Sequence, residues 1–140
     1  MRKKLKVKLD EGAYMPTRAH EHDAGLDLYS TKDVCLFEKS SLTIDTGVHI
    51  AIPKGYVGFV KSKSGLMVKD DITTDGTVDS GYTGSIRVKL FNHGNLPVPI
   101  ERGMKIAQLV ILPIVTPTLV QVYEMKETER GNNGFGSTGK

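Results

Sequence analysis

The run "SIRVKLF", residues 85–91, decides the fold class: Ile86, Val88 and Leu90 alternate with Arg87 and Lys89. A period of two is that of a strand with one face buried, whereas a helical stripe would repeat every three to four residues. Runs of the same kind recur on both sides of it: "LKVKL" (5–9), "LTIDTGVHIAI" (42–52), "YVGFVK" (56–61) and "KIAQLVILPIV" (105–115). Turn signals stand between them at Pro53-Lys54-Gly55, Asn92-His93-Gly94-Asn95 and Arg102-Gly103. Many short strands without an internal repeat predict an all-β domain, a sandwich or closed barrel. Only "SKSGLMVKDD" (62–71) breaks the pattern, and a turn or two of helix is expected there.

At 140 residues the chain suits one domain with its own core. The expected division is a β core over 1–122 and a C-terminal arm over 123–140. The arm, "YEMKETERGNNGFGSTGK", holds too few apolar residues to offset its ordering entropy and is expected to be mobile until a ligand orders it. Phe135 stands out as an aromatic in a glycine-rich setting, suited to docking on something flat.

The net charge of +3 is small, and apart from the basic start "RKKLKVK" the cations are interspersed with acids. Without a basic stripe, stable nucleic-acid binding is not expected, and the start reads as a solvated strand edge. No apolar run reaches the roughly 18 residues of a membrane helix, so no membrane partner is expected. The single cysteine, Cys35, has no internal partner and lies in "VCLF", which predicts a buried structural thiol. A cytoplasmic protein is the expectation.

Five segments bear on the chemistry. "GTVDSGYTGS" (76–85) reads as a hairpin in which Gly76, Gly81 and Gly84 let backbone approach a ligand, with Asp79 and Tyr82 between them. "KSKSGL" (61–66) sets lysines and serines beside a glycine, which suits a phosphate oxyanion. "DAGLDLYS" (23–30) places Asp27 where a carboxylate can hold Mg²⁺ directly or through its water shell. His20 and His22 in "HEHD" would share a face of an extended chain, but no second pair of soft ligands completes a zinc site. The terminal "GFGSTGK" (134–140) fits most of a P-loop, yet no helix is read after it to present its N-terminus to a phosphate. Its glycine amides and hydroxyls are instead expected to close against a surface supplied elsewhere.

Taken in order, "AGLDLYS", "KSKSGL", "GTVDSGYTG", "RGMKIAQLV" and "RGNNGFGSTG" resemble the five motifs of the trimeric dUTPase family, over residues 24–139. The resemblance implies a jelly-roll-like distorted β-barrel, a homotrimer with shared active sites, and a mobile C-terminal arm. It implies hydrolysis of dUTP to dUMP and pyrophosphate with Mg²⁺ on the triphosphate, supporting dTMP synthesis and keeping uracil out of DNA. Position by position, it makes Asp79 the residue that activates the attacking water and Tyr82 the aromatic under the deoxyribose. Lys63, Ser64, Gly65 and Gln108 become phosphate contacts, Thr73, Gly76 and Val78 line the base, and Asp27 holds the metal through water. In the arm, Arg130 reaches the terminal phosphate, Phe135 stacks on uracil, and Gly136, Ser137 and Thr138 close over the phosphates.

The chain departs from the family pattern at four places. Lys63 stands where arginine is usual, exchanging a planar bidentate grip for a point charge. Thr73 replaces an asparagine common in bacterial members, Met104-Lys105 replaces an acidic-basic pair, and Asn133 replaces a glycine. Two alternatives remain at this level: a dCTP deaminase-like relative on the same fold, and a regulatory nucleotide-binding protein. A deaminase needs a group that activates water at the base carbon, and the sequence offers no good candidate.

Overall fold

A computed structural model describes residues 3–139. Its strands are β1 (Lys6–Leu9), β2 (Gly25–Tyr29), β3 (Val34–Leu36), β4 (Ser41–Asp45), β5 (Val48–Ala51) and β6 (Tyr56–Lys61). A helix α1 (Ser64–Asp70) follows, then β7 (Ile72–Thr73), β8 (Asp75–Val78), β9 (Arg87–Asn92), β10 (Val98–Ile100) and β11 (Lys105–Pro113). They form four antiparallel sheets, in the orders β1-β5, β10-β3, β2-β11-β6-β8 and β4-β9-β7. The expected all-β, jelly-roll-like architecture is the one found. The helix at residues 64–70 is likewise where the sequence interrupts its strand pattern, and the three glycine or proline turns connect strands as expected.

The alternation in β9 explains the packing. Val88 and Leu90 are fully buried while Arg87, Lys89 and Phe91 face out, and Leu90 lies opposite Leu42 and Val88 opposite Ile44 in β4. Together with Leu28, Leu36, Ile72, Ile100, Ile106 and Leu109 they make one continuous core. Truncating such a side chain, as in Leu90→Ala, costs about 2–5 kcal/mol through lost burial and the cavity left behind.

Two expectations are corrected. Cys35 is exposed, because in β3 the pleat sends Leu36 inward and Cys35 outward, opposite Pro99. Residues 76–85 are not a hairpin: β8 pairs with β6, while β9 pairs with β4 and β7. The segment 79–86 is therefore a corner between two sheets, and β8 is left as an edge strand.

Among the described residues after Pro113 no helix or strand forms, and residues 115–133 and 135–139 are exposed. From Thr128 onward the described hydrogen bonds stay inside the segment, as in Asn133 N–H to the Arg130 carbonyl at 2.9 Å.

Candidate active site

β11 runs between β2 and β6 and sets up the first group of candidate residues. Gln108 lies opposite Asp27 on one side and Lys61 on the other, and Lys105 lies opposite Tyr29. Residues 105 and 108 would fall on opposite faces of a regular strand, since their separation is odd. A register shift between Lys105 and Ala107 supplies one extra residue, so both reach the Asp27 face of β2. The same bulge lets the consecutive Ile106 and Ala107 both be buried.

Asp27 is 3 % exposed and clasped by two cations, Lys63 Nζ at 2.6 Å from Oδ1 and Lys105 Nζ at 3.1 Å from Oδ2. Burial pushes its carboxyl up, but the hydrogen bonds from Lys63 and then Lys105 outweigh that and hold it below the usual carboxylate range. Lys105 is correspondingly raised, chiefly by its hydrogen bond to Asp27. Gln108 Nε2 donates to the Ser62 carbonyl at 3.0 Å. It lies across Gly25, where an added Cβ would sit 2.1 Å from Gln108 Oε1, so any side chain there would force Gln108 to shift from this position. Ser62 in turn ties the end of β6 to Thr74, donating to its carbonyl at 3.1 Å and accepting from its N–H at 3.0 Å.

Lys63 precedes the first turn of α1, which begins with Ser64 and Gly65, both exposed. A side chain on Gly65 would meet nothing of its own chain within 4 Å, so no internal contact requires a glycine at this position. Such a position suits close approach from outside.

The second group sits on the corner. Val78 is opposite Gly58, so Asp79 lies one step beyond, at the level of Val57. The Tyr82 N–H donates to the Asp79 carbonyl at 3.2 Å, closing a turn in which Gly81 takes φ +90°. Tyr82 hydroxyl donates to the Ser85 carbonyl at 2.8 Å with its ring on Gly84, where a Cβ would stand 2.5 Å from the hydroxyl oxygen. The Asp79 carboxylate is exposed and makes no hydrogen bond or ion pair among the described residues. Gly76, opposite Val60, and Val78 belong to edge strand β8, whose outer N–H and C=O groups are unpaired by any strand. Thr73 is held by His93, with Oγ1 and Nε2 2.7 Å apart.

Within the chain the Asp79–Tyr82 corner does not reach the Asp27 group, whereas Thr73 adjoins the Thr74 that Ser62 holds. From the level of Val57 to Ser62 is five steps of β6, roughly 16 Å at 3.3 Å per residue. The arm residues stand apart from both. Arg130 Nε donates to the Asn133 carbonyl, Ser137 N–H to the Gly134 carbonyl, and Phe135 is fully exposed with φ +52°. Among the described non-glycine residues of the arm, the left-handed backbone falls at Phe135 and not at Asn133.

The protein-family model described as dUTPase matches residues 11–139. The chain belongs to the dUTPase family. A deoxyuridine 5'-triphosphate nucleotidohydrolase of Clostridium tetani is 44 % identical over 140 residues, covering 97 % of each chain. The enzyme of the same name from Clostridium novyi is 45 % identical, covering 98 % of this chain and 99 % of that one. Among solved structures, the dUTPase of Staphylococcus bacteriophage 80alpha with dUPNHPP superposes with a TM-score of 0.94 at 36 % identity, over 99 % of this chain and all of that one. A mutant dUTPase of phage phi11 of S. aureus, described as coordinating a structural Mg(II) ion, gives a TM-score of 0.81 at 35 % identity over 87 % of this chain and 98 % of that one.

Sequence reasoning passed over Lys105 as a partner of Asp27, and Gly25 and Ser62 as supports of Gln108. A bulge has no local signature in "RGMKIAQLV". The glycine in "DAGLD" was visible, but what it makes room for lies 83 positions away, counting from 25 to 108.

Proposed function

We propose that the protein hydrolyses dUTP to dUMP and pyrophosphate, with Asp79 as the base that aims water at the α-phosphorus. The observation that carries this is the unengaged, exposed Asp79 carboxylate beside Tyr82, set apart from a second, cation-rich group that suits phosphates. A base must keep its lone pairs free until substrate arrives, and Asp79 does. Lys63, Ser64, Gly65 and Gln108 take the phosphates. Tyr82 lies under the deoxyribose, and Thr73 with the outer backbone of Gly76 and Val78 reads uracil. Cytosine presents a donor where uracil presents an acceptor, which leaves buried groups unpaired at about 1–3 kcal/mol each.

The roughly 16 Å between the groups along β6 supports a shared site, in which the corner of one subunit faces the phosphate group of another. The assembly in this reading is a homotrimer, and the arm from residue 123 onward closes the site, with Arg130 on the terminal phosphate, Phe135 on uracil, and Gly136, Ser137 and Thr138 over the phosphates. We place the protein in the cytoplasm; no helix among the described residues is long and apolar enough to cross a membrane.

Mg²⁺ fits as a companion of the substrate and not as a resident ion. No group of three or more His, Cys, Asp or Glu able to hold a metal occurs among the described residues. Asp27 gives each lysine one oxygen, and a carboxylate has about four acceptor positions, so capacity remains for a water of an ion borne by phosphate oxygens. Bound there, Mg²⁺ would offset charge on the phosphate oxygens.

Incubation with dUTP and with dCTP, with and without Mg²⁺, tests the reading. Expected products are dUMP and pyrophosphate from dUTP only; ammonia from dCTP would replace the reading by a deaminase, and binding without turnover by a regulatory protein. A native mass about three times the 15.3 kDa chain tests the assembly.

A further inference from the structure

Beside the corner, one histidine is held between two acceptors. His49 on β5 has Nδ1 2.7 Å from the Thr83 carbonyl oxygen and Nε2 3.0 Å from both carboxylate oxygens of Asp10. A carbonyl and an ionised carboxylate only accept, so each ring nitrogen must carry a proton, and a neutral imidazole carries one. The geometry is therefore that of an imidazolium. The Thr83 carbonyl first, and Asp10 second, raise its pKa above the ordinary histidine value, against desolvation and Lys8. The charged groups around it are Asp10, just past β1, Lys8 directly opposite it on β1, Lys6 on the same strand, and Asp45 at the end of β4, itself 3.7 Å from Arg87.

Thr83 adjoins Tyr82 in the corner. The corner's far end is fixed by backbone, with Ile86 N–H on the Val48 carbonyl and Thr46 N–H on the Ile86 carbonyl. Its near end leaves β8 at Val78. Between these ends, the His49 ring links the carbonyl next to Tyr82 to a different sheet, β1-β5.

We propose that His49, kept as an imidazolium by Asp10, is a positioning residue for the Tyr82 corner, which makes substrate affinity proton-linked. This rests on the reading of Asp79 and Tyr82 as parts of the dUTP site. The direction is set by the chemistry. A pKa raised on folding means the tether is complete below about pH 6.5, the unfolded value, and is lost as pH rises through the higher folded value. A neutral ring must then abandon either Thr83 or Asp10.

The test is the KM for dUTP across pH 6 to 9 for wild type, His49→Gln, His49→Arg and Asp10→Asn, each read as a ratio to wild type so that titration of the substrate cancels. At acid pH His49→Gln should raise KM about threefold to fivefold, and the ratio should fall to one at alkaline pH. His49→Arg, a permanent cation with donors on several edges, should hold KM low throughout, and Asp10→Asn should move the wild-type inflection to lower pH. A flat ratio of one for His49→Gln overturns the proposal. Tyr82→Ala separates the two readings: wild-type kinetics there would remove the corner from the site, whereas impaired kinetics there with a flat His49→Gln ratio would overturn the His49 role alone. Should His49→Gln not fold, NMR titration of the wild-type His49 ring decides, with an inflection at or below about pH 6.5 overturning the proposal.

Discussion

The two ends of the four-stranded sheet are built on opposite terms. At the β2-β11 end, Asp27 is buried and doubly ion-paired, and Gln108 opposite it is held on the Ser62 carbonyl, so this geometry is complete within one chain. At the β8 end, and still more in the arm, Asp79, Tyr82 and Phe135 are exposed, and the Asp79 carboxylate has no partner among the described residues. The difference teaches which parts of the site bear charge before substrate arrives. On the proposed roles, lysines gathered to meet phosphates repel one another, and Asp27 offsets that repulsion in advance. A base and a stacking ring need the reverse, since a partner would have to be displaced before they could act.

The sharpest way to break this contrast is Asp79→Asn, which keeps the corner and removes the base. It should lower kcat by about 10²- to 10⁴-fold while nucleotide Kd, measured by calorimetry, stays near wild type. Near-normal turnover would remove Asp79 from its role. Next, Phe135→Ala or truncation after Arg130 should cut kcat/KM about 10- to 100-fold, the size of one lost base stack, with an unchanged Tm. A fall in Tm would mean that the arm is part of the core.

Asp27→Asn probes the braced end and should behave differently, lowering both activity and stability. The two lysines are 27 % and 47 % exposed, so solvent screens part of the loss and about 1–2 kcal/mol is expected in a denaturant titration. The same pairs set an acid limb. Because the Asp27 pKa is depressed on folding, its contribution is present above about pH 3.9 and lost as pH falls through the lower folded value. The smallest effect is expected from Lys63→Arg, which retains the charge on Asp27 and should change kcat/KM by less than about threefold. A larger change would show that the point charge, and not only its sign, was selected with Lys105.

Much of this was legible in the residues. The alternation in "SIRVKLF" defined a half-buried strand that is found as β9, and "SKSGLMVKDD" marked the one helix among the described residues. Ordered motifs pointed to the family that the comparison then showed. Pairing was less legible, because glycines at 76, 81 and 84 signal a tight chain reversal but do not say which strand each arm joins. Hence the hairpin expected there is a corner. Cys35 was misplaced for a related reason: "VCLF" is apolar throughout, and only the pleat says which residue faces out.

What the sequence by itself determined is the set of local preferences: strand period, turn chemistry, and the residue types available for phosphate, base and water. Those follow from interactions a few residues long. What only the tertiary structure decided is which of them meet. The bulge that brings Lys105 and Gln108 to the Asp27 face, the space at Gly25 that admits Gln108, and the two acceptors that fix the charge of His49 all join positions 34 to 83 apart in the chain, counted from His49 to Thr83 and from Gly25 to Gln108. Such meetings depend on register and on the filling of a shared core, and no local window of sequence contains either.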